Sequence, residues 1–237
     1  MAAKLIDLST ALSDEEEDKT PVCINLTGAI RDHWTANYLT YQAFLRLLGL
    51  ESRSPKEFST SQEAGKFIRS IQDGNRHVCW CPAGIHLFTG LYRYFAVRQV
   101  GVEWDKGLTD RLEAILDPAD KWVAYTVGSY ADEEQYRDKL RRTQYPRSNS
   151  DFYRRITLPS LVQVTYLIAW LVEQDDMESL TVLAGDRHTP LFFRTSTRLS
   201  DDRVVAVSYQ LDRRVLIREF PAFNAVPNLK TLDAFLL

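Results

Sequence analysis

The sequence predicts an α+β fold: a mainly helical N-terminal two-thirds followed by an antiparallel β-meander. Three observations carry this expectation. Apolar residues recur at spacings of three and four through residues 30–48. Residues 159–173 are apolar on every side, as in a helix that runs through the middle of a fold. Beyond them the period changes to two over 180–183, 191–197, 203–210 and 214–220, with short polar links between the runs. Helices first and strands last favour α+β over a doubly wound parallel sheet.

Residues 1–20 read as an acidic flexible arm. The run Asp14, Glu15, Glu16, Glu17 and Asp18 has no apolar partner and repels itself. With Lys4 and Lys19 set against six acids, the arm carries −4. Residues 22–26 form a short apolar, strand-like run. A helix is expected next, with Ile30, Trp34, Tyr38, Tyr41, Phe44, Leu45 and Leu48 on one face and Gly49 as its stop. Two capping boxes follow, Ser54-Pro55-Lys56-Glu57 and Thr60-Ser61-Gln62-Glu63, the second opening a helix to about Gln72. Residues 77–81 read as a strand and 85–97 as an aromatic-rich helix. Residues 108–116 read as a short helix and 122–127 as a strand. Residues 132–142 form a polar helix with acids first and bases last, the order that complements the helix dipole. Loop chemistry in residues 143–150 marks a boundary. The expected organisation is therefore an arm (1–20), a helical region (21–143), and a buried helix plus meander (151–237) that forms one compact unit with 21–143. The tail from Pro221 packs back on the body.

Bulk composition excludes several function classes. The chain has 237 residues, of which 45% are hydrophobic, enough for a sizeable core without disulfides or metal. Three cysteines do not make a disulfide scaffold, so reduced thiols and an intracellular setting, cytoplasmic or nuclear, are expected. The longest apolar run is shorter than the roughly 20 residues a spanning helix needs, so no membrane role is expected. A net charge of −3 argues against a uniformly cationic polyanion binder. Ten glycines include no Gly-x-Gly-x-x-Gly or P-loop pattern, and His-Glu-x-x-His, EF-hand and Gly-x-Ser-x-Gly motifs are missing as well. No cofactor, metal or catalytic residue is assigned.

One local charge feature departs from this background. Residues 137–155 hold Arg137, Lys139, Arg141, Arg142, Arg147, Arg154 and Arg155 against Asp138 and Asp151, a surplus of +5 in a net-negative chain. Tyr136, Tyr145, Phe152 and Tyr153 are interleaved. Guanidinium groups fork onto phosphate, and aromatic rings stack on bases. This footprint fits RNA or single-stranded DNA, and the expected contacts are Arg137, Lys139, Arg141, Arg142, Tyr145, Arg147, Tyr153, Arg154 and Arg155. The function expected first is a non-enzymatic nucleic-acid-binding or assembly protein, such as a viral nucleocapsid-like protein. Its acidic arm would mask the basic segment or link copies into a homo-oligomer. Ser13, followed by acids, fits an acidophilic phosphorylation site that would deepen the arm's charge. Against this stands the reading of a charge run as a solvated face. A second function reading is a protein-interaction module (a regulator, effector or immunity-type protein) that turns the same arginines to an acidic partner.

The third reading, a Cys/His-dependent enzyme, rests on His77, Cys79, Cys81 and His86. In a strand the first three share a face. The Cys-x-Cys spacing departs from the Cys-x2-Cys of zinc sites, and buried cysteine usually acts as a small hydrophobe. A thiol nucleophile would also need His86 or His188 brought close to it. The aromatic set, including the five tryptophans Trp34, Trp80, Trp104, Trp122 and Trp170, is expected to lie mostly in the core.

Overall fold

The structure is a computed structural model that describes residues 34–50, 55, 76–113, 121–131, 159–186, 189–200, 203–221, 226 and 228–236. Helix α1 (Tyr38–Leu47) follows a helical turn at residues 34–36 and buries Tyr41, Phe44 and Leu45. Gly49 ends it at φ +74°, a left-handed conformation that glycine adopts without steric cost. Gly49 N donates to Arg46 O and Leu50 N to Leu45 O, which satisfies the last carbonyls in a Schellman motif.

Strand β1 (Arg76–Cys81) comes next. A π-helical turn (Leu87–Tyr92) then runs into α2 (Arg93–Val97), the His86 carbonyl accepting from both Gly90 N and Leu91 N. Strand β2 (Gly101–Trp104), a 3-10 turn (Lys106–Leu108), helix α3 (Thr109–Glu113) and the eleven-residue strand β3 (Lys121–Ala131) follow.

Helix α4 (Leu161–Glu173) is the centre of the core: every residue from Leu161 to Leu171 is buried. Its start is a capping box, with Gln163 N donating to Ser160 Oγ and Ser160 N to Gln163 Oε1. Two bonds dock that start on β6: Ser196 N donates to Pro159 O and Leu161 N to Thr197 Oγ1. At the other end, Glu173 takes a bidentate pair from Arg98 (2.7 and 2.9 Å) and a bond from Tyr94 Oη (2.8 Å), fastening α4 to α2.

Helix α5 (Met177–Ala184), the two-residue strands β4 (Gly185–Asp186) and β5 (Thr189–Pro190), and strands β6 (Phe192–Ser200), β7 (Arg203–Gln210), β8 (Arg214–Pro221) and β9 (Leu229–Leu236) complete the described order. Seven strands form one mixed sheet in the order β1-β3-β9-β6-β7-β8-β2. The pairs β6–β7 and β7–β8 are antiparallel, whereas β2 joins β8 and β9 joins β6 in parallel. The helices pack on the face that carries Val205, Val207, Tyr209, Val215 and Ile217. On the opposite face Phe192, Ala206 and Leu229 form a smaller apolar cluster with Leu216, Phe220 and Val226.

This architecture corrects the expected fold class. The described part of the N-terminal two-thirds is not mainly helical: it supplies β1, β2 and β3 to the sheet. The C-terminal part is not a self-contained antiparallel meander, because parallel strands flank it on both sides. Residues 180–183 belong to α5 and not to a strand. Asp176 caps that helix, accepting from Ser179 N at 3.0 Å and Ser179 Oγ at 2.7 Å, and the cap prevails over the β-branched Thr181 and Val182. Strand β2 gave no periodic signal, since it is four residues long and pairs with a strand more than a hundred positions later. The acidic arm, the capping boxes at 54–63 apart from Pro55, the polar helix at 132–142 and the boundary at 143–150 lie outside the described residues. One core cluster takes residues from Tyr41 through to Leu232, spanning both sides of that boundary.

Candidate functional site

The expected nucleic-acid contacts, Arg137, Lys139, Arg141, Arg142, Tyr145, Arg147, Tyr153, Arg154 and Arg155, all lie outside the described residues. The described residues that flank that stretch in the sequence both lie at the sheet. On one side, Ala131 at the end of β3 pairs with Thr231 of β9. On the other, Pro159 is hydrogen-bonded to Ser196 of β6, the strand next to β9. Both flanks are therefore tied to the middle of the sheet.

Several arginines of the described body meet carboxylates. Arg98 pairs with Glu173 (2.7 Å), Arg203 with Glu219 (3.2 Å), Arg214 with Glu103 (2.8 Å) and Asp212 (2.6 Å), and Arg218 with Asp105 (3.2 Å). Apart from Glu173 these groups are part-exposed, so solvent screens the pairs and leaves them weak. Their relevance is electrostatic, because this surface has its positive charge answered locally.

Of the Cys/His group, His77, Cys79 and Cys81 sit on β1. Cys79 and Cys81 are fully buried thiols outside any disulfide, opposite Val123 and Lys121 of β3. Burial alone pushes the Cys79 thiol far above its ordinary value. The thiolate that a nucleophile or metal ligand requires is thereby disfavoured. His86 accepts from Thr89 N at 3.3 Å and caps the π-helical turn. Among the described residues no three His, Cys, Asp or Glu side chains are placed to share a metal ion.

His77 has a different surrounding. Its ring stacks on Tyr125 with centroids 5.4 Å apart. Its Nε2 lies 3.3 Å from Ser179 Oγ and its Nδ1 3.7 Å from Asp176 Oδ2. Serine, histidine and aspartate thus meet, but not as a relay. Ser179 Oγ donates its proton directly to Asp176 Oδ2, so the histidine does not take it. Ser179 is also buried at the start of a helix. The arrangement is a helix cap with a histidine laid against it. Sequence reading missed Asp176 and Ser179; the Asp-x-x-Ser spacing was the available signal.

The tryptophans divide. Trp80, Trp122 and Trp170 are buried, while Trp34 and Trp104 are partly exposed. Trp34, Tyr41 and Trp170 form a stack, with centroids 4.8 and 4.0 Å apart. Trp104, Phe88 and Tyr92 pack edge-on around an apolar cleft beside β2, which Leu87, Phe95 and Val102 help to line. No His, Asp, Glu, Lys or Cys is among the residues that line it.

No described helix is long and apolar enough to cross a membrane. Compared with protein-family models, curated proteins and solved structures, the chain matches none.

Proposed function

We propose that the protein binds single-stranded nucleic acid, RNA or DNA, through residues 137–155. The observation that carries this reading is the +5 surplus with interleaved tyrosines in a chain of net charge −3. Two features support it. The described surface spends many of its arginines on local carboxylates, which leaves 137–155 as the concentrated surplus. The described Cys79 and Cys81 are buried and the Ser-His-Asp group is a cap, so neither favours an enzyme.

The test is binding of a labelled oligonucleotide across a salt series, using the full chain. Arg141→Ala, Arg142→Ala, Arg154→Ala and Arg155→Ala together should weaken binding and lower the slope of log K against log salt by about 3 for a single strand. A second arm removes residues 1–20. If that −4 segment competes for the same arginines, affinity rises, and unchanged affinity rejects the competition. No binding at low salt overturns the nucleic-acid reading and leaves an acidic protein partner as the alternative.

A further inference from the structure

We draw no further inference here: the strongest candidate, the apolar cleft between the π-helical turn and the edge strand β2, walled by Phe88, Tyr92 and Trp104, is an unpartnered apolar surface, and nothing in the structure shows what covers it.

Discussion

Three buried tyrosines show how much one hydroxyl matters in this core. Tyr41 Oη accepts a 3.0 Å bond from Trp80 N, on the side of β1 that faces away from β3. Tyr125 Oη and Tyr166 Oη are fully buried with no partner among the described residues. A buried donor left unmade costs about 1–3 kcal/mol. Tyr125→Phe and Tyr166→Phe should therefore be neutral or stabilising by about 1 kcal/mol. Tyr41→Phe removes the acceptor from a buried N–H and should destabilise by about 1–3 kcal/mol. Urea unfolding of the three variants separates these outcomes, and a clear loss in Tyr125→Phe would show that its hydroxyl has a partner. The cysteines belong to the same setting. Their place on a strand was legible from the short apolar run, and so was the preference for core over chemistry. The partners of His77 were not legible, because Asp176 and Ser179 lie about a hundred positions away on an element whose type was misjudged.

At the level of elements, backbone conformation singles out positions where one substitution decides stability. Gly185 follows α5 at φ 69°, ψ −150°, a region open essentially to glycine alone. A Cβ there would lie 2.6 Å from Leu191 Cγ. Gly185→Ala combines backbone strain with overpacking and should cost about 3 kcal/mol or more, seen as a fall in Tm. Gln99 presents the reverse case. It ends α2 at φ 55°, with Val100 N donating to Phe95 O and Gln99 N to Ala96 O, the Schellman position where glycine is usual. Relief of left-handed strain is worth about 1–2 kcal/mol, and the added freedom of the unfolded chain takes back about 0.4–1. Gln99→Gly should thus stabilise by about 0.5 kcal/mol, and a lower Tm would reject that account. The same contrast explains which elements could be read in advance. Helix α1 announced itself through its apolar spacing and Gly49, and α4 through an unbroken apolar stretch. Strand β2 and the whole length of β3 depend on partners far along the chain, so local pattern did not reveal them. Tertiary pairing decided those segments, and the expected mainly helical N-terminal two-thirds gave way for that reason.

For the molecule as a whole, the buried phenols and thiol set an alkaline limit. Burial raises Tyr41, Tyr125 and Tyr166 well above the usual phenol value near 10, and Cys79 well above the usual thiol value. Below those ordinary values the folded and unfolded chains hold the same protons on these groups, so their stabilisation is complete. Above them the unfolded chain ionises while the folded one does not, and stability falls with rising pH. The three tyrosines act in the same direction, so their losses add as pH rises past the ordinary phenol value. The urea midpoint should fall steeply from pH 9 upward, and a flat profile to pH 11 would contradict the burial of these groups. The order of the sheet bears on assembly of the fold in time. Strand β9 follows every other described strand in the chain, yet it sits between β3 and β6. Until it emerges, the other described strands pair as two separate sheet fragments, β1 with β3 and β6-β7-β8 with β2. Their inner edges, β3 and β6, stay open to other strands throughout that interval. Synthesis therefore passes through a window of exposure that closes when β9 is threaded between these two described fragments.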